Sequence, residues 1–268
     1  MKNNIYSRAP LFLRDKIPVF SLNNEYTDNY ERIAHDHILA ATCSGENPFI
    51  PEKLWVEMEN STVNLVSKYL KGGCKILDVG VGLGRLLNLL PGVEKYGMDI
   101  SLNYLKVAQS KGIDVCYSLI EDMPYQEGIF DIVVCTDVLE HVIDLNLVCQ
   151  KIISVLKKGG IFIVRVPYKE DLSGYLKPGY PYKYAHFRSF DENSLRLLLE
   201  GIFKCQFIEY TPGGYYIYDT RLKCQLPIIK YKILEALTIL KRLLPFFYMI
   251  LLPKLLYPVE INMCFIKK

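Results

Sequence analysis

The segment Lys75-Ile76-Leu77-Asp78-Val79-Gly80-Val81-Gly82-Leu83-Gly84-Arg85 decides the fold of this 268-residue chain. Ile76, Leu77 and Val79 suit a buried strand, and the alternate glycines permit the positive dihedrals and close backbone approach that a bound nucleotide needs. Leu83, Leu86, Leu87 and Leu90 then recur at helical spacing, so the segment reads as strand, turn and helix. A dinucleotide-binding turn would place its third glycine where this chain has Arg85, and the Gly-Lys-Ser/Thr of a phosphate loop is absent. Asp78 points the same way: a carboxylate beside the turn would repel a pyrophosphate and attract an ammonium group.

An acid followed by G-x-G-x-G resembles the first motif of the class I S-adenosylmethionine-dependent methyltransferases, whose cofactor carries that ammonium and no phosphate. Later segments follow in the order of that family. Asp99 ends the run Tyr96-Gly97-Met98-Asp99, about 20 residues past the turn, as a ribose-binding acid does in nucleotide folds. Phe130 to Thr136 is a near-continuous apolar run, expected of a strand buried on both faces, and leads into Asp137-Val138-Leu139-Glu140-His141-Val142, the place of the family's fourth motif. Leu145 to Leu156 reads as a helix closed by Lys157 to Gly160, and Ile161 to Val166 as another strand. The resemblance implies S-adenosylmethionine as cofactor, cradled by Asp78, Gly80, Gly82 and Gly84. Asp99 would accept the ribose hydroxyls beside Ile100, Asp122 the adenine amino group with Met123 giving a backbone contact, and Asp137 would border the site.

The fold class expected is α/β: a Rossmann-like, seven-stranded, mostly parallel sheet with an antiparallel last strand, flanked by helices. Residues 1–71 would be an N-terminal helical lid and 72–268 the methyltransferase domain, with an apolar helical insertion at about 221–257 before the last strand. Within the lid, Leu54 to Leu70 traces one helical face, and Glu25 to Ala41 a second helix. Tyr26 and Tyr30 on it either cover the sulfonium or are ordinary surface residues.

The acceptor wall falls on the Tyr-, Gly- and Pro-rich loop after the fifth strand, where open α/β sheets place ligands, with Tyr168 and Tyr184 as acceptor contacts. The His186-x-Arg188-x-Phe190 pattern resembles that of small-molecule members of the family, which implies His186 and Arg188 as further contacts. Ser189 and Glu192 fit a capping box for the next helix. In-line methyl transfer asks for alignment and exclusion of water, and an oxygen acceptor also asks for a base, for which His141 and His186 are the candidates. Asp137, Glu140 and His141 are similar to the metal-binding cluster of some O-methyltransferases, including the small-RNA type, but the rest of that site is not evident. The pair otherwise orients the loop, and no metal ligand is assigned.

Composition limits the remaining choices. Eight cysteines show no C-x-x-C pair and read as buried apolar side chains, and the first residues lack the apolar core of a signal peptide, so a cytoplasmic protein is expected. From Arg221 to Lys268 nine Lys and Arg face two Glu, yet the longest uncharged stretch, Leu243 to Pro253, is too short to span a bilayer. The basic, apolar segment 226–257 suggests a peripheral membrane surface, a lipid-linked acceptor or a homodimer interface. A net charge of +3 without a nucleic-acid module argues against RNA or DNA. The expected reaction is O-methylation of a sugar, glycan precursor or quinone-like phenol. The alternative is a non-catalytic cofactor-binding scaffold whose insertion recruits a partner or membrane.

Overall fold

In the computed structural model, which describes residues 5–43, 47–216, 221–223 and 227–268, the Lys75–Val79 strand lies in the middle of a nine-stranded sheet. In chain order the strands are β1 (Phe12–Arg14), β2 (Ile17–Val19), β3 (Lys75–Val79), β4 (Glu94–Asp99), β5 (Asp114–Tyr117), β6 (Phe130–Thr136), β7 (Leu156–Pro167), β8 (Gln206–Pro212) and β9 (Glu260–Ile266). Their spatial order is β1-β2-β5-β4-β3-β6-β7-β9-β8. Strands β3 to β7 run parallel, and β9 is antiparallel to both β7 and β8. The seven strands β3 to β9 are thus the sheet expected from the sequence.

The helices are α1 (Glu25–Cys43), α2 (Glu52–Ser67), α3 (Arg85–Asn88), α4 (Leu102–Ser110), α5 (Leu145–Val155), α6 (Glu192–Arg196), α7 (Pro227–Leu243) and α8 (Pro245–Leu255). They cover both faces of the sheet, and the side-chain alternation of a strand explains why. In β6, Val133 and Cys135 join the core formed with Val148, Ile152 and Phe162. Ile132 and Val134 point the other way, into the core with Leu65, Val66 and Leu87. A strand buried on both faces must be apolar, as the fully buried stretch 132–135 of β6 is.

Three local features differ from the sequence expectation. The N-terminal region is not only helical: β1 and β2 form a hairpin whose turn residues Asp15 and Lys16 both have positive φ, and β2 extends the sheet beside β5. These strands are three residues each and β1 is exposed throughout, too short for any periodicity to register; Ile17 and Val19 are buried because β5 would otherwise be an open edge. The capping box of α6 is made by Asp191 and Ser194, not by Ser189 and Glu192, because the helix begins two residues later. Lys157 to Gly160 belongs to β7, where Gly159 donates to the Lys267 carbonyl at 2.8 Å; pairing with the end of β9 prevails over a helix C-terminal turn.

The insertion before β9 forms a helical hairpin, α7 and α8, with its own small core of Leu222, Leu237, Tyr248, Leu252 and Leu256. Residues 217–220 and 224–226, at the start of the expected insertion, lie outside the described residues. Among the described residues no helix is long and apolar enough to cross a membrane.

Candidate active site

The C-terminal ends of β3, β4, β6 and β7 open into a cavity of about 720 Å³. One half of it is built by the glycine turn. Gly80 has φ +77°, and a Cβ there would lie 2.3 Å from Val138 Cγ2, so the turn packs directly against the segment after β6. A Cβ on Gly82 would meet nothing within 4 Å, which leaves room above the turn. Gly84 instead abuts Ile113 and Ala108 and joins the turn to α4. The Asp99 carboxylate, at the end of β4, accepts the Gly82 amide and the Ser101 amide, both at 2.9 Å. Burial raises the Asp99 carboxyl to about 6, although those backbone donors pull the other way.

Asp78 is 2 % exposed, and its Oδ1 has no hydrogen-bond partner among the described residues. Burial pushes its carboxyl well above the ordinary range, with Arg165 opposing the shift. A buried carboxylate oxygen of this kind calls for a donor or cation from a ligand. An amino-acid ammonium would meet Asp78, and ribose hydroxyls would find the free lone pairs of Asp99. The cleft therefore fits a nucleoside bearing an amino-acid tail.

Beyond Asp78 lies a network of buried charge. Arg165, from the interior of β7, reaches Asp137 Oδ2 at 2.5 Å, Glu260 Oε2 at 2.7 Å and the Thr62 hydroxyl at 3.0 Å. Burial would lower its pKa, but Asp137 and Glu260 reverse that, so the guanidinium stays charged. Asp137 itself adopts φ +57°, which turns the chain from β6 into the Glu140–His141 segment. The one sign of this network in the sequence is a single arginine within the otherwise apolar run Ile161 to Val166.

The far end of the cavity holds two histidines, 4.5 Å apart between ring centroids and edge to face. His141 Nδ1 meets the Tyr30 hydroxyl at 3.1 Å, and burial followed by the nearby His186 lowers its pKa to about 3, so it is neutral. His186 Nδ1 pairs with the Glu170 carboxylate and lies 3.1 Å from the Tyr175 hydroxyl, which donates to Glu170 at 2.7 Å. Glu140 is 1 % exposed with neither oxygen hydrogen-bonded, and burial, then Asp137, pushes its carboxyl well above the ordinary range. Glu140, His141 and His186 each bring a ligand atom within 4.8 Å of the others, a set able to hold a cation that the sequence reading, with no metal assigned, did not assemble.

A cover closes over this cavity. From α1, Tyr26, Tyr30 and His37 line it, so the two tyrosines are walls of the cleft rather than surface residues. Tyr26 donates to the His141 carbonyl at 3.3 Å. Asn29 ties α1 to the Tyr-rich loop, donating to the Tyr184 carbonyl at 3.0 Å and accepting the Lys183 and Tyr184 amides. Arg85 stacks 3.8 Å above the Trp55 ring and bonds Glu52 and Glu59, fastening α2 to the glycine turn.

The residues singled out from the sequence are thus brought together unevenly. Asp78, Gly80, Gly82, Asp99, Ile100, Asp137, His141, Tyr184 and His186 line the cavity, and Gly84 backs it. Asp122 and Met123 do not: Asp122 is exposed and accepts the Ser21 hydroxyl at 2.7 Å, Met123 is buried in the core, and Ile120 and Glu121 face the cavity instead. Tyr168 belongs to a separate surface hollow with Tyr210 and Tyr257. Arg188 clamps the carbonyls of Leu139, Val142 and Ile143, holding the histidine segment from behind.

Residues 77–164 match a family described as a methyltransferase domain. Over these residues the chain is similar to the class I methyltransferases. A ubiquinone biosynthesis O-methyltransferase of Xylella fastidiosa is 30% identical over 154 residues, covering 54% of this chain and 63% of that protein. A tRNA (carboxymethyluridine(34)-5-O)-methyltransferase of Arabidopsis thaliana is 32% identical over 100 residues, covering 36% of this chain and 25% of that protein. The magnesium protoporphyrin IX methyltransferase of Synechocystis PCC 6803, solved with bound SAH, shares the fold with a TM-score of 0.59 at 16% identity, over 90% of this chain and 98% of that one. The chain spans about half the length of the curated relatives it matches. S-adenosylmethionine is the cofactor of a domain of this kind, and Asp78, the glycine turn and Asp99 line the cavity that would receive it.

Proposed function

We propose that this protein transfers the methyl group of S-adenosylmethionine to an oxygen of a small or lipid-linked acceptor, a phenol or a sugar hydroxyl, held in the aromatic half of the cleft. The observation that carries this reading is the Glu170–His186 pair in the wall of the cavity. The cofactor supplies an electrophilic methyl. His186, with Nδ1 engaged by Glu170, can take the acceptor proton on Nε2, and the carboxylate steadies the imidazolium that results. His141 is too weak a base for that task and serves as a neutral wall. Tyr26, Tyr30, Tyr175, Tyr180, Tyr182 and Tyr184 give the cleft aromatic faces for a ring and keep water from the reacting atoms.

Nucleic acid fits the cleft poorly. Glu121, Glu140, Glu170 and Glu260 line it and no lysine does among the described residues, a poor surface for a phosphate backbone. The apolar hairpin α7–α8 favours an amphiphilic acceptor over a fully soluble one.

The test is methyl transfer from labelled S-adenosylmethionine to a panel of phenols, sugars and lipid-linked glycans, by wild type and His186→Ala. Loss of about 10²- to 10⁴-fold in rate with cofactor binding retained is the expected result. Unchanged turnover would remove His186 from the chemistry. Repeating the assay with a chelator, then with Mg²⁺ or Zn²⁺, separates proton transfer from a cation held by Glu140, His141 and His186.

A further inference from the structure

We propose that the α7–α8 hairpin docks the protein on an anionic membrane surface through its apex, Lys241 to Ile250, and so holds the acceptor cleft against the bilayer. The acceptor side of this inference rests on the function proposed above; the docking does not. Of the ten residues from Lys241 to Ile250 only Tyr248 is buried. Leu243 is 68 % exposed, Phe246 72 %, Phe247 55 % and Met249 58 %, a concentration of large apolar side chains that water does not favour. Helix α8, Pro-Phe-Phe-Tyr-Met-Ile-Leu-Leu-Pro-Lys-Leu, is apolar on every side, the pattern of a helix that lies in protein or lipid. At eleven residues it is about 16 Å long, half of a hydrocarbon core, so it can lie in the interface but not cross it.

Charge selects the occupant. Between residues 227 and 257 stand Lys230, Lys232, Lys241, Arg242 and Lys254 against Glu235 alone. Lys241 and Arg242 lie in the last turn of α7, beside the apolar apex, which is the arrangement that joins apolar insertion to attraction by anionic headgroups. A second copy is a poorer partner, because a two-fold contact at the apex would bring these cations against their own equivalents with no acid in the apex to receive them.

The hairpin is anchored to the cleft itself. Its stem is closed by the bridge between Leu222 and Leu256, and Tyr257 donates to the Arg221 carbonyl at 2.8 Å. The Arg221 guanidinium donates to the Tyr168 carbonyl, and Arg221 and Val259 both line the cavity. The seventeen residues of α7 span about 25 Å, so docking at the apex brings the cavity within one helix length of the lipid.

Sedimentation of the full chain with vesicles of phosphatidylcholine alone, and of equal parts phosphatidylcholine and phosphatidylglycerol, tests this directly. Wild type should bind the anionic vesicles at least about tenfold more tightly, and more weakly at high salt. The exposed-site variants F246S/F247S and K241E/R242E should each lose about tenfold or more, while circular dichroism and calorimetric binding of S-adenosylmethionine stay as in wild type. Absence of binding by wild type, or binding untouched by both variants, would overturn the proposal. So would a wild-type dimer in light scattering that F246S/F247S converts to monomer without any vesicle binding, which would make the apex a self-association surface. Methyl transfer to a soluble phenol without vesicles is measured separately, so failure of docking and failure of the proposed chemistry are told apart.

Discussion

The Asp99 carboxylate accepts the Gly82 amide at 2.9 Å, so the acid that ends β4 also sets the shape of the glycine turn that follows β3. Two parallel neighbours in the sheet are thereby locked at their carboxyl ends, and the turn is held open before any ligand arrives. The arrangement has a cost, because Asp99 is a half-buried carboxylate whose desolvation raises its pKa.

That cost makes the first prediction, with its sign. A folded-state pKa of about 6 against an ordinary 3.8 means that ionised Asp99 opposes folding. Its relative contribution to stability is fully present below about pH 4 and is lost as pH rises through about 6, at most about 3 kcal/mol. Without cofactor, Asp99→Asn should therefore gain stability relative to wild type between the low and the high end of that window, as followed by urea unfolding. Its affinity for S-adenosylmethionine should fall about tenfold or more, since one of the two ribose acceptors becomes a donor. A stability difference that is flat with pH would show that Asp99 is not buried in the way described.

Gly80 faces Val138 Cγ2 at 2.3 Å from where a Cβ would stand, and its φ is +77°. Gly80→Ala should destabilise the fold by about 2 kcal/mol, in the range of overpacked sites. Adding Val138→Ala should recover the steric part and leave about 1 kcal/mol of backbone strain. A double-mutant cycle in urea with no coupling between the two positions would contradict the contact.

Asn29 is 7 % exposed and is the polar tie between α1 and residues Lys183 and Tyr184. Removing its side chain leaves the partly exposed backbone groups of Lys183 and Tyr184 without these partners, at about 1 kcal/mol. Asn29→Ala should loosen the cover: limited proteolysis in the Tyr-rich loop should speed up, and the acceptor KM should rise more than kcat falls. Unaltered proteolysis would mean that other contacts hold the cover closed.

Glu170 holds His186 from the side opposite the cleft partner nitrogen. As a positioning residue, its change to Gln should lower kcat by about tenfold to a hundredfold with the KM for cofactor unchanged, and Glu170→Asp should restore part of the rate. Equal loss in cofactor affinity would point to a collapse of the loop instead.

The parts legible in the sequence are those governed by neighbours along the chain. Lys75 to Gly84 announced strand, turn and cofactor acid because the geometry of a glycine turn is local. Phe130 to Thr136 announced a strand buried on both faces because such burial demands a near-continuous apolar run, here Ile132, Val133, Val134 and Cys135. Asp122 shows the limit: one residue of offset in a loop decides whether a carboxylate faces the cleft, as Glu121 does, or reaches back to Ser21. The β1–β2 hairpin was invisible because three-residue strands carry no periodicity.

By itself, then, the sequence determined the α/β sheet, the glycine turn with Asp78 and Asp99, and the two histidines as chemical candidates, since each rests on local spacing and residue type. Only the tertiary structure decided that Arg165 joins Asp137 to Glu260, that Glu170 orients His186, that Tyr26 and Tyr30 close the cavity, and that Arg188 supports the site from behind. Those pairings connect side chains far apart in the chain, and long-range contacts are chosen by how helices and strands pack, which no local pattern encodes.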